Sequence, residues 1–364
     1  MKRLLAGMTA ALLSAILVFP CNAISAQSAV LLDGQTGRVL YEKNADQKSL
    51  IASTTKIMTA LVVCEQCNVL DRFKIPKEAV GIEGSSIYLQ EGEVLTVQEL
   101  LYGLMLQSGN DAAVALAIYC GGTIEGFAEL MNDKAHRLGL ENTHFVNPNG
   151  LDAPGHYSTA RDMAVLAAYS MENPIFAKTV SAKNVNIKGR SLRNHNKLLW
   201  QVEGADGVKT GYTKAAGRIL VSSATRQNRR LIAVTMNDPN DWQDHKNLLE
   251  QGFSGYQVRN IISEGDILGF RQIAGGNCGA VALLAGTDFD YALSADEFPK
   301  IELPGTGFVY APVVQGQNAG YAYVCLGDKT IGKIPLLYGN TVEQEIEPEK
   351  TGLEKFRLWI RGEL

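Results

Sequence analysis

The chain has 364 residues, 46% of them hydrophobic, with 34 Lys and Arg set against 38 Asp and Glu for a formal charge of −4. That length suggests two domains. The mildly acidic balance, with no basic run anywhere, argues against a nucleic-acid partner.

Met1-Lys2-Arg3 is a basic start, Leu4 to Phe19 is an apolar stretch interrupted only by small residues, and Ala23-Ile24-Ser25-Ala26 offers small-residue cleavage positions. This is the pattern of a signal peptide over residues 1–26, which places the mature chain outside the cytoplasm, at the outer face of the membrane or in the wall. The apolar stretch of 16 residues is shorter than the roughly 20 needed to span a bilayer. Phe19-Pro20 ahead of Cys21 is a poor match to a lipobox. Loss of Lys2 and Arg3 leaves −6 on the mature chain, with five cysteines, Cys64, Cys67, Cys120, Cys278 and Cys325. An odd number cannot pair completely. Cys64-Glu65-Gln66-Cys67 lacks a second ligand pair nearby, so the cysteines are expected as buried small residues, with neither metal nor cofactor.

Residues 27–256 mix helices early with antiparallel strands late and carry three short motifs in order. Ser53-Thr54-Thr55-Lys56 opens an apolar-periodic helix to about Glu65, with Ile57, Met58, Leu61 and Val62 on the repeat. Residues three apart share a helix face, so the Lys56 amine lies beside the Ser53 hydroxyl. Such a lysine serves as a base only if burial or a neighbouring cation holds it partly neutral, and Lys209 is the expected neighbour. Thr96-Val97-Gln98-Glu99 reads as a capping box for a helix to about Gln107, and a second helix follows from Ala112 to Tyr119. Ser108-Gly109-Asn110 is then a tight interhelical turn that aims a hydroxyl and an amide into a cleft. Lys209-Thr210-Gly211 follows a turn-like stretch and precedes two β-rich runs, Arg218 to Thr225 and Arg229 to Met236, separated by Gln227-Asn228. A lysine and a threonine at a strand edge grip a carboxylate, and Gly211 admits a substrate backbone closely. A second Lys-Thr-Gly, at Lys350, lies in an acidic tail beyond any core.

The order of these motifs, with ASTTKIMTAL from Ala52, SGNDAA from Ser108, FVNPNGLDAPGHYSTARD from Phe145 and GADGVKTGYTKAA from Gly204, resembles the D-alanyl-D-alanine carboxypeptidases. These are low-molecular-mass penicillin-binding proteins that include sporulation-type enzymes. The resemblance covers roughly residues 28–256 and implies an α+β fold, an antiparallel sheet flanked by helices as in β-lactamases and transpeptidases. It implies that Ser53 is the acylated nucleophile, Lys56 its general base, and Ser108 and Asn110 the second element. Lys209, Thr210 and Gly211 would bind substrate, and the backbone N–H groups of Ser53 and Tyr212 would form the oxyanion hole. Peptidoglycan stem peptides would be the substrate and β-lactams covalent inhibitors. Some relatives carry an arginine just ahead of the helix after the last strands. Here Asn237 to Trp242 has none, so carboxylate binding is expected to fall on Lys209 and Thr210.

Residues 257–342 change character, with short β-rich runs between glycine-rich turns, which argues for a small β-sandwich. Residues 343–364 read as a linker and an amphipathic helix, in which Leu353, Phe356, Trp359 and Ile360 recur at helical spacing among Lys355, Arg357 and Arg361, able to lie on an anionic membrane. His144, His156 and His195 fit no metal-ligand spacing. Two rival functions share parts of this pattern. A serine β-lactamase of the common class needs a deacylating glutamate, usually in Glu-x-x-x-Asn, and Gly121 to Val180 contains no such pair. A catalytically silent wall-binding scaffold would not need the three intact motifs.

Overall fold

The computed structural model describes residues 24–305, 307–345 and 351–362. Most of the signal segment therefore lies outside the described residues. The first domain is built on strands β1 (Ser28–Asp33) and β2 (Val39–Lys43), then a single tight helical turn, Ala52–Thr55, that runs into α1 (Lys56–Gln66). A small ribbon of β3 (Arg72–Lys74) and β4 (Val94–Thr96) leads to helices α2 (Val97–Leu106), α3 (Asn110–Gly121) and α4 (Ile124–Arg137). The chain continues through α5 (Ala160–Glu172), α6 (Pro174–Ser181), the ribbon β5 (Asn184–Ile187) and β6 (Arg190–Arg193), and the short α7 (Leu198–Gln201). It closes with β7 (Ala205–Thr213), β8 (Gly217–Arg226), β9 (Arg229–Met236) and α8 (Asp241–Gly255).

The five long strands form one antiparallel sheet in the order β2-β1-β9-β8-β7. Side chains alternate between its faces. Val30, Ile219, Val221, Ile232 and Val234 point into the core shared with α1 to α6. Their neighbours Leu31, Leu220, Leu231 and Ala233 face the smaller core under α8. The sheet is thus sandwiched between helical layers, with β2 and β7 as its edge strands. The turn between β8 and β9 is Gln227-Asn228, both at positive φ, the geometry that matches the twist of a hairpin. Thr96 and Glu99 form the reciprocal capping box at α2.

The second domain follows with β10 (Gln257–Ile262), β11 (Ile267–Ala274), β12 (Ala280–Ala285), β13 (Phe289–Leu293), β14 (Lys300–Glu302), β15 (Phe308–Tyr310), β16 (Asn318–Leu326) and β17 (Lys329–Tyr338). Six strands run in the order β14-β16-β17-β12-β11-β15, and β10 pairs with β13. Ile262 of β10 and Phe289 of β13 pack on the apolar face of the larger sheet, so the two sheets enclose one core. Arg38 joins the domains. Its guanidinium lies over Tyr256 and Tyr291, 5.0 and 5.3 Å from the ring centroids, and forms an ion pair with Glu297 at 2.5 Å.

The tail contains α9 (Gly352–Ile360), whose Leu353, Phe356, Trp359 and Ile360 are all exposed. Thr351 of the second Lys-Thr-Gly caps this helix. Among the described residues no single helix is long and apolar enough to cross a membrane. The cysteines only partly follow the expectation of burial. Cys64 and Cys325 are buried, Cys278 is exposed, and Cys67 and Cys120 are half-buried.

Candidate active site

The turn Ala52–Thr55 is forced into its shape from two sides. Ala52 takes a positive φ of 44°, and Gly150 lies so close that a Cβ there would sit 1.9 Å from the Ala52 carbonyl oxygen. On the other side, a Cβ at Gly211 of β7 would lie 3.2 Å from the Thr54 nitrogen and 3.3 Å from the Ile51 oxygen. The sheet edge therefore lies directly against the turn bearing Ser53. His156 holds the turn from within, because its Nδ1 accepts the Val146 N–H at 3.0 Å, leaving the Nε2 proton for Thr55 Oγ1 at 2.7 Å. Burial pushes this imidazole down to about 4, so it stays neutral.

Lys56 is completely buried, with its Nζ 3.0 Å from Ser53 Oγ, 2.7 Å from Asn110 Oδ1 and 2.5 Å from the Asn149 carbonyl oxygen. The Asn110 amide cannot turn over, since its Nδ2 donates to the Glu83 carbonyl at 2.5 Å. Two of the three partners of Lys56 are thus obligatory acceptors. A neutral amine has two N–H bonds and one lone pair. Once the protons go to Asn110 and Asn149, the lone pair is left for the Ser53 hydroxyl. Burial, then the nearby Lys209 cation, holds Lys56 well below the usual lysine range, against a smaller opposing pull from Asp111.

Lys209 is 1% exposed, donates to the Thr210 carbonyl at 2.7 Å, and is pushed down to about 7 by burial. Ser108 takes a φ of 60°, and its buried Oγ has no hydrogen-bond partner among the described residues. Such an orphaned hydroxyl is costly unless a ligand or water meets it. Asp111, in the first turn of α3, accepts the N–H groups of Ile87 and Leu89 at 3.1 and 3.0 Å and the Ser86 hydroxyl at 2.6 Å. That pins the loop preceding β4 over the start of α3.

Ser53, Ser108, Thr210, Gly211 and Tyr212 line one cleft of about 340 Å3. Lys56 and Asn110 stand behind Ser53, so residues of all three motifs meet at this cleft. Asn110 lies within the first turn of α3 rather than in the connection before it. The cleft is also lined by Ser85, Lys197 and Arg218, none of them singled out from sequence, and by His195, which the sequence spacing tests only as a metal ligand and sets aside. The missing arginine ahead of α8 therefore does not leave the cleft without one. Tyr212 and Arg218 are direct partners across β7 and β8, which brings Arg218 to the cleft wall. Its Nε and Nη2 engage Asp241 at 3.1 and 2.8 Å, while Nη1 has no hydrogen-bond partner among the described residues. The side chain is 43% exposed.

A serine hydroxyl and a buried lysine amine between a helical layer and an edge strand of an antiparallel sheet define a serine acyl-transfer enzyme of the lysine type. The chain belongs to the D-alanyl-D-alanine carboxypeptidase family of serine peptidases, which matches residues 17–240; residues 256–344 match the C-terminal domain of penicillin-binding protein 5. It is 34% identical over 311 residues to the D-alanyl-D-alanine carboxypeptidase DacF of Bacillus subtilis, covering 81% of this chain and 80% of that protein. The crystal structure of penicillin binding protein 5 from Haemophilus influenzae is 33% identical, covers 88% of this chain and 98% of that one, and superposes with a TM-score of 0.77. Penicillin binding protein 6B from Escherichia coli is 31% identical, with 86% and 95% covered and a TM-score of 0.71.

Proposed function

We propose that the chain is exported and removes the terminal D-alanine from peptidoglycan stem pentapeptides through an acyl-enzyme on Ser53. The observation that carries this reading is the hydrogen-bond set of Lys56, which leaves one lone pair aimed at Ser53 Oγ. Ser53 attacks the carbonyl of the penultimate D-alanine as its proton passes to Lys56. The backbone N–H groups of Ser53 and Tyr212 stabilise the oxyanion. The C–N bond then breaks, and the proton on Lys56 returns to the amine of the departing D-alanine, with the unpartnered Ser108 hydroxyl placed to relay it. Water hydrolyses the ester by the same steps in reverse.

Lys209, Thr210 and the free Nη1 edge of Arg218 receive the carboxylate of the substrate. Asp241 occupies the other edge of the guanidinium and fixes its plane, which suits a fork-like contact with a carboxylate. A β-lactam presents the same amide and carboxylate and acylates Ser53 in the same way. The exposed apolar row of α9, with Lys355, Arg357 and Arg361 beside it, lies on the anionic membrane surface and keeps the enzyme near its substrate. The direct test is D-alanine release from a defined pentapeptide by the purified chain. Release should be abolished in Ser53→Ala, together with labelling by fluorescent penicillin. Labelling that survives in the folded variant contradicts the proposal.

A further inference from the structure

Ile24, Ser25 and Ala26, read from sequence as the end of the leader, are built into the catalytic domain. Ile24 is 5% and Ala26 0% exposed, and both pack under α8 with Leu31, Leu248 and Leu249. The Ile24 carbonyl accepts from Lys43 Nζ at 2.8 Å. Between them, the Ser25 N–H donates to Asp244 Oδ2 at 2.6 Å, and its hydroxyl lies 2.6 Å from Asp238 Oδ1.

Asp238 and Asp244 are 0% and 3% exposed, and neither has an ion-pair partner among the described residues. Asp238 Oδ2 has no hydrogen-bond partner there either. Buried carboxylates without a cation are strongly unfavourable. Cleavage after Ala26 would remove the apolar side chains that fill the space beneath α8 and the hydroxyl that bridges the carboxylates. Cleavage after Ala23 keeps all of them, and Cys21-Asn22-Ala23 supplies small residues at both positions a leader peptidase reads, whereas Ile24-Ser25-Ala26 has a bulky one.

We propose that a membrane leader peptidase hydrolyses the Ala23–Ile24 bond, so that the mature enzyme begins at Ile24 and its new ammonium group stands beside Asp244 and Asp238. This rests on the export proposed above. One water is consumed, leaving a carboxylate on Ala23 and an amine on Ile24 that is largely protonated at neutral pH, its ordinary pKa being about 7.7–8.0. The amine lies one residue, about 3.8 Å along the chain, from the N–H that already donates to Asp244. Processing also supports the cleft wall. Asp238 and Asp244 flank Asp241, which holds Arg218, and the Asp238 N–H donates to the Arg218 carbonyl at 2.9 Å.

The test is the intact mass and N-terminal sequence of enzyme recovered after export of the full chain. The expected start is Ile24-Ser25-Ala26-Gln27. An exported chain beginning at Gln27, or still beginning at Met1, overturns the inference, whereas a chain that stays in the cytoplasm overturns the export on which it rests. Selective acetylation of the α-amine should then lower Tm by roughly 3 °C or more, and by less in Asp244→Asn, where only Asp238 is left to face it. An acetylated wild-type enzyme with unchanged Tm would show that the ammonium does not serve the aspartates.

Discussion

Asn110→Asp exchanges an amide nitrogen for an oxygen without altering shape, and so isolates the charge beside the base. Asn110 Oδ1 stands 2.7 Å from Lys56 Nζ. At that separation and an effective dielectric of about 20, a carboxylate attracts an ammonium by ~6 kcal/mol. Its own burial cancels part of this, leaving the ~1–3 unit rise in lysine pKa that a close carboxylate produces. Lys56 accepts the Ser53 proton only when neutral, and its neutral fraction grows as pH rises through the folded pKa. Raising that pKa therefore moves the acid limb of acylation upward by ~1–3 pH units. Below the shifted limb the rate falls by about 10- to 1,000-fold, tenfold per unit, and high pH restores it. The Glu83 carbonyl also loses its donor, which costs about 1–3 kcal/mol of stability. Acylation by fluorescent penicillin from pH 5 to 10, with urea unfolding alongside, measures both effects. A rate loss that does not vary with pH, or an acid limb that moves by less than half a unit, would refute the assignment of Lys56 as a neutral base.

Lys56→Arg keeps a positive charge but cannot lose its proton. Acylation should fall by ~100- to 10,000-fold at every pH from 6 to 9, the usual worth of a positioned base, as followed by stopped-flow labelling. Lys209, near 7 in the free enzyme, loses its cation as pH rises, so KM for a free-carboxylate peptide should increase above about pH 7 while the acid limb reports Lys56. Arg218→Gln should reduce the preference for D-Ala-D-Ala peptides over their C-terminal amides by ~10-fold or more, about 1.4 kcal/mol, with the amide turned over as in wild type; an unchanged ratio of the two kcat/KM values would remove Arg218 from carboxylate binding. Arg38→Met should cost ~1.5–3 kcal/mol in calorimetry, the range for a hydrogen bond to a charged group. Arg38 holds Glu297 down at about 2, so this interaction acts in full above the ordinary glutamate pKa and fades as pH falls toward 2.

Local signals carried much of the fold. Thr96-Val97-Gln98-Glu99 specifies a cap through its own side chains, Gln227-Asn228 sets the hairpin, and the alternation along β8 and β9 divides their residues between two cores. The Ser53 and Lys56 pair was legible for the same reason, being three residues apart on one turn. Long-range pieces were not. Asn149 meets Lys56 through its backbone carbonyl, which no side-chain type announces. Arg218 reaches the cleft only because β7 and β8 pair with Tyr212 opposite it. The burial of Ile24 and Ala26 and the bonds of Ser25 to Asp244 and Asp238 were not legible either, because they depend on residues more than 200 positions away.

The central claim is a covalent intermediate on Ser53 formed with a neutral Lys56, and peptide mapping of the penicillin-treated enzyme by mass spectrometry tests it most directly. One penicilloyl group per chain, on the peptide containing Ser53 and released slowly by hydrolysis, is the predicted result. An adduct on any other residue, or rapid multiple turnover of penicillin at rates near those with peptide, would contradict it.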